Sequence, residues 1–136
     1  MDRMEAKLKH LEMLQAVISR MAHNSFLLKG WAVTLVAALF ALAAKDANPW
    51  FIWLALYPVS VFWVLDAWFL RQERLFRCVY DKVRQKAPDQ IDFDMNPARH
   101  KCPPDHVASV MWSVTLRAFY LGLLVGIVVV GLLLAY

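Results

Sequence analysis

No charged residue interrupts the chain between Ala118 and Tyr136. As a helix that run rises about 28 Å, close to the thickness of a bilayer's hydrocarbon core. Nothing else in the sequence constrains the fold as strongly. In lipid, a segment must satisfy its own backbone hydrogen bonds, so a helix is predicted. Two further runs repeat the pattern: 25–44, with Lys29 as its one charge, and 50–70, with Asp66 as its one charge. Hydrophobic residues make up 60% of the 136-residue chain, too many for the surface of a soluble domain this small. The expected fold is all-α: an integral membrane protein with three transmembrane helices, an N-terminal amphipathic helix and a cytoplasmic helical extension of the second span.

Orientation follows from Lys and Arg. Arg3, Lys7, Lys9, Arg20 and Lys29 crowd the N-terminal arm. Arg71, Arg74, Arg77, Lys82, Arg84, Lys86, Arg99 and Lys101 crowd 71–106, whereas the 45–49 turn carries Lys45 alone. The positive-inside rule places both crowded segments in the cytoplasm and Tyr136 outside. A bacterial inner-membrane protein with a periplasmic C-terminus is expected. The charged N-terminus lacks the short apolar core of a cleavable signal peptide. Cys78 and Cys102 both fall on the reducing side, where a stable disulfide is not expected.

The expected segments are 1–24, a cytoplasmic amphipathic helix; 25–44, the first span; 50–70, the second; 71–106, a cytoplasmic basic helix and loop; and 107–136, the third span. Over 1–24, Met4, Leu11 and Ile18 recur every seven residues, and Leu8, Leu14 and Met21 fill the same side. Such a stripe packs on a neighbouring subunit or on the cytoplasmic loop, or lies flat on the bilayer. No Pro or Gly separates it from the first span, so one long helix is allowed. Asn48-Pro49 marks a turn, Pro58 should kink the second span, Pro88 should stop its extension, and Asp105 can cap the last helix. Trp50, Phe51, Trp53 and Tyr57 form an interfacial belt.

Three charges share one depth: Lys29, Asp66 and Arg117. Two readings stay open. They form an inter-helix ion pair or a charged ring at a pore mouth, or Lys29 and Arg117 simply snorkel to the headgroups. Asp66 is too short to snorkel far. Ala118, Gly122 and Gly126 make a small-residue stripe for helix packing, within or between chains.

His100, Cys102, Asp105 and His106 are legitimate zinc ligands, but their spacing fits no closed pattern and Pro103-Pro104 restrict the turn. No metal and no other cofactor is expected. Catalytic motifs are missing from the sequence, so no catalytic residue is assigned and no enzyme activity is expected.

A basic, aromatic set remains: Arg71, Arg74, Phe76, Arg77, Tyr80, Lys82, Arg84, Arg99 and Lys101. It reads either as positive-inside anchoring or as a polyanion surface, with phosphates on the cations and a base stacked on an aromatic ring.

Two stretches carry a resemblance. Leu11-Glu-Met-Leu-Gln-Ala-Val-Ile-Ser-Arg20-Met-Ala-His-Asn24-Ser-Phe-Leu-Leu-Lys29-Gly-Trp31 and Asp66-Ala-Trp-Phe-Leu-Arg71-Gln-Glu-Arg74-Leu-Phe-Arg77 resemble a family of short bacterial membrane proteins found beside nucleotidyltransferase and other anti-phage defence genes. The nearest fit is the membrane effector of Hailong-type systems, over about the first 80 residues. The resemblance implies abortive-infection antiviral defence by an ion channel. It also implies a homo-oligomer, a tetramer in the first instance, restrained by a single-stranded oligonucleotide from a nucleotidyltransferase. Three helices cannot enclose an aqueous path alone, so any pore requires oligomerisation. The alternative function is a membrane anchor or adaptor recruiting a soluble partner; a small transporter subunit is a third.

Overall fold

Ala, Leu, Met, Lys and Glu dominate the first third of the chain and no proline interrupts it. It forms one helix, α1 (Arg3–Asp46), about 66 Å long. Glu5 in its first turn and Lys45 in its last oppose the helix dipole. The computed structural model describes residues 2–46, 48–103 and 106–136. The expected division at residue 24 is therefore not a break: rod and span are continuous.

Pro49 starts the return, with α2 (Trp50–Leu54) and α3 (Leu56–Arg84) separated only at Ala55. The interruption is the effect of Pro58, which has no N–H to give the Leu54 carbonyl. Val59 N–H still reaches the Ala55 oxygen at 3.3 Å, so the helix resumes at once. α3 runs well past the apolar stretch, as its helix-forming sequence predicts. A 3-10 turn at Pro88–Gln90 follows it.

The third span begins with a short α4 (Val107–Met111) and continues as α5 (Val114–Ala135), with extended backbone at Ser113. An unbroken helix would pair the Met111 carbonyl with the amide four residues on. Here the Trp63 indole N–H donates to it instead, at 2.9 Å. Asp105, the expected cap, lies outside the described residues. Three of these stretches are long and apolar enough to cross a membrane. Among the described residues there is no strand.

α1 and α3 run antiparallel and make the largest contact in the molecule. Ile18, Ser25 and Ala32 recur every seven residues on α1, and Ile52, Val59, Asp66 and Glu73 do so along α2 and α3; all are buried. That repeat keeps one face of each helix on the other. Around it lies the larger core, with Trp63, Leu116, Tyr120 and Ile127 filling the third side. Gly131 lets α5 approach α2: a Cβ there would stand 2.7 Å from Trp53 Cζ2.

A second, smaller core lies beyond the spans and defines a head. Leu14 of α1 meets Val79 and Val83 of α3, with Cys102, Ile91 and Met95 from the connecting loop. The inward face of α1 here is His10, Leu14 and Ile18, while Met4 and Leu8 remain exposed. The expected stripe thus packs only in part: Leu14 and Ile18 are buried, Leu11 and Met21 half-buried, and Met4 and Leu8 open.

The loop is ordered by its own chemistry. Asp92, Asp94 and Asn96 each accept the backbone N–H two residues on. Residues 97–102 form a single helical turn closed in the Schellman manner. Cys102 N–H bonds the Pro97 oxygen at 3.1 Å, Lys101 N–H bonds that of Ala98 at 3.3 Å, and Lys101 takes the left-handed position at φ 57°. The turn delivers Cys102 to Cys78. Their Cα atoms are 6.0 Å apart and the two are disulfide-bonded. The fold thus brings together two cysteines for which no stable bond was expected. That expectation rested on compartment, whereas pairing is decided by where the loop turn sets Cys102.

Candidate functional site

Asp66 is fully buried and three donors converge on it. Lys29 Nζ reaches Oδ2 at 2.6 Å and Tyr120 Oη donates to the same oxygen at 2.9 Å. Ser25 Oγ donates to Oδ1 and itself accepts from Lys29 Nζ at 2.9 Å. The heptad places Ser25 and Asp66 on the facing seams, and Lys29 lies one turn above Ser25. Tyr120 comes from α5 with its ring stacked on Trp63, centroids 5.9 Å apart. Lys29 Nζ also lies 6.0 Å from the Phe119 ring centroid. One carboxylate therefore clasps three helices.

The depth of the clasp follows from length. From Trp50 to Asp66 the chain rises about 24 Å, short of the roughly 30 Å of hydrocarbon. From Trp50 to Arg71 it rises about 32 Å, and from Asn24 to Lys45 the same. A slab bounded at those levels holds the clasp about 7 Å inside it. Such a charge is tolerated only when paired and hydrogen-bonded.

Of the three charges expected at one level, Lys29 and Asp66 meet. Arg117 is exposed and takes no part; Tyr120, one turn further on, occupies the place on Asp66. Ser25 and Tyr120 were not singled out from the sequence. Ser25 could have been, as the polar residue one turn before Lys29 on the same face. Tyr120 had no signal, lying 54 residues from Asp66 inside an apolar run. In the small-residue stripe, Ala118 and Gly122 are exposed, and nothing lies within 4 Å of a Cβ placed at Gly122 or Gly126. The chain's own helices do not use it.

The basic set divides. Arg71 and Arg74 line a cleft of about 240 Å³ with Leu75, Cys78 and Pro103. Lys82 and Lys86 of α3 face Arg99, His100 and Lys101 of the loop across a groove of about 350 Å³ that also contains Asp92 and Asp94. Arg77 is paired with Glu73 at 2.7 Å, and Arg84 lies 3.8 Å from Asp81; neither borders the groove. Phe76 and Tyr80 are half-buried against the smaller core rather than offered as stacking platforms. The groove's cations are partly spoken for: Lys86 lies 3.7 Å from Asp92 and Arg99 3.5 Å from Asp94.

No family model, curated protein or solved structure matches this chain.

Beneath the groove, His10 and His100 both donate through Nε2 to the Asp94 carbonyl, at 3.1 and 2.8 Å. His10 Nδ1 has no hydrogen-bond partner among the described residues. Burial lowers the His10 pKa from its ordinary 6.5, against the raising effect of the Asp94 carbonyl. Asp92 is held below its usual carboxylate range, first by the Asp94 N–H. Among the described residues no three metal-ligating side chains come together.

Proposed function

We propose that this chain is an oligomeric effector of bacterial anti-phage defence, seated in the inner membrane with its head in the cytoplasm. An anionic ligand, nucleotide or oligonucleotide, held in the head would control an ion-permeable pore. The observation that carries the reading is the groove between α3 and the loop, where Lys82, Lys86, Arg99 and Lys101 border one anion-sized space. The class of ligand comes from the resemblance of residues 11–31 and 66–77 to defence effectors. Self-association is supported by the open stripe at Gly122 and Gly126. It is also required, because the three spans pack on a core filled by side chains such as Tyr120 and Ile127.

The test is flux. Full-length protein in anionic liposomes is expected to release potassium, and added oligothymidylate should change the rate with strong salt dependence. Liposomes that stay tight with and without the oligonucleotide refute the pore and favour the adaptor. A flux that the oligonucleotide leaves unaltered keeps a pore but rejects ligand control.

A further inference from the structure

The groove has two walls that belong to different parts of the chain. Lys82 and Lys86 stand on α3, and Arg99 and Lys101 stand on the loop. Cys78 lies one helical turn before Lys82, and Cys102 follows Lys101 directly. Their bond is therefore the covalent tie between the walls. The other ties are modest: the Lys86–Asp92 pair, whose carboxylate is open to solvent, the His10 bond to the Asp94 carbonyl, and the packing of Ile91 and Met95 on the smaller core. Lys101 is held at φ 57°, a backbone setting that L-residues other than Asn and Asp seldom keep unless their surroundings impose it.

The Lys and Arg distribution that argues for a cytoplasmic head also argues for a thiol-buffered one. A cysteine pair closed there is more often a switch than a permanent strut. We infer that Cys78 and Cys102 form a reversible thiol–disulfide latch that holds the loop on the head and shapes the groove. Its effect on ligand affinity rests on the whole function proposed above; the latch itself rests only on the cytoplasmic placement of the head.

The chemistry balances with a low-molecular-weight disulfide such as glutathione disulfide. Cys78, half-buried, is the more accessible thiol, because Cys102 is only 4% exposed. The Cys78 thiolate attacks one sulfur of the small disulfide and releases one glutathione. The Cys102 thiolate then attacks the mixed disulfide at Cys78 and expels the second. Two electrons and two protons leave the protein. Reduction by two glutathione thiols runs the same steps backwards.

Acid-quenched bacteria expressing the full chain test the first half. Free thiols are blocked with N-ethylmaleimide, then disulfides are reduced and tagged with a polyethylene-glycol maleimide. In growing cells the chain should carry no tag. Within minutes of the thiol oxidant diamide it should carry two, and lose them on washout. Two tags in unstressed cells, unchanged by diamide, mean a permanent bond and overturn the latch.

Purified full chain tests the second half. Trypsin should cut after Arg99 and Lys101 about tenfold faster when the protein is reduced with dithiothreitol. Cys78→Ser should be cut at the reduced rate with or without dithiothreitol. Equal rates for oxidised and reduced parent protein overturn the proposal. Fluorescent oligothymidylate is expected to bind the two states about tenfold apart. If it binds both equally, the coupling to the groove falls. If it binds neither while the tryptic difference persists, the ligand reading fails and the latch stands.

Discussion

The spans and the head solve the same problem differently. Both join α1 to α3, but the spans do so through a long apolar seam with one polar clasp, and the head through a handful of apolar contacts and a disulfide. In hydrocarbon every polar atom must be met by protein, so Asp66 has three donors and breaking any of them is costly. In water each of the head's ion pairs keeps at least one partner open to solvent and contributes little. The comparison teaches that the spans hold one arrangement, while the head is where modest chemistry can shift the structure.

The contrast breaks most visibly at Asp66. Asp66→Asn keeps groups able to bond Ser25 and Tyr120 but leaves the Lys29 ammonium unpaired inside the slab. A loss of about 3–5 kcal/mol is expected, read as a lower unfolding midpoint in detergent. Adding Lys29→Met should recover most of it, since removing both charges of a buried pair is far less costly than removing one. The exchanged pair Lys29→Asp with Asp66→Lys should recover part. Arg117→Ala in the same assay should stay within about 0.5 kcal/mol of the parent. An Asp66→Asn protein as stable as the parent would mean that the clasp contributes nothing.

Gly131→Ala comes next. Its Cβ would meet Trp53 at 2.7 Å, and overpacking of about 1–3 kcal/mol is expected. Gly122→Ala and Gly126→Ala meet open space and should leave the midpoint unchanged. Crosslinking of the same variants in membranes would show whether the stripe serves contacts between copies.

Tyr120→Phe removes one donor from Asp66 while keeping a ring to stack on Trp63. The expected loss is about 1–2 kcal/mol, and an unchanged midpoint would remove Tyr120 from the clasp.

The smallest effect belongs to the head and to pH. Burial holds the folded His10 pKa below 6.5, so the unfolded head takes up the proton first. Stability is full above 6.5 and declines as pH falls through 6.5 towards the lower folded value. Asp92 opposes this decline, and His100 and Lys86 reinforce it. Hydrogen exchange over residues 91–102, corrected for its intrinsic pH dependence, should quicken on acidification in the parent and not in His10→Gln. Equal quickening in both would place the proton elsewhere.

Much of this was legible beforehand for a simple reason. Hydrophobic runs, prolines and helix formers act locally, so three spans, the interruption near Pro58 and the extension of α3 could be read from neighbouring residues. Lys29 and Asp66 were conspicuous because a charge in an apolar run has few explanations. The polyanion set was legible as composition but not as a surface. Arg99 and Lys101 face Lys82 and Lys86 only because the loop folds back on α3, and Phe76 and Tyr80 turn towards the smaller core.

By itself, then, the sequence determined that this chain is helical and suited to a bilayer, because apolar length and backbone hydrogen bonding leave no other solution. Only the tertiary structure decided that Asp66 belongs with Lys29, Ser25 and Tyr120 rather than Arg117, and that Cys78 meets Cys102. Those pairings join residues tens of positions apart. They depend on the heptad register between α1 and α3 and on left-handed residues in the loop at Phe93 and Lys101, which no local pattern specifies.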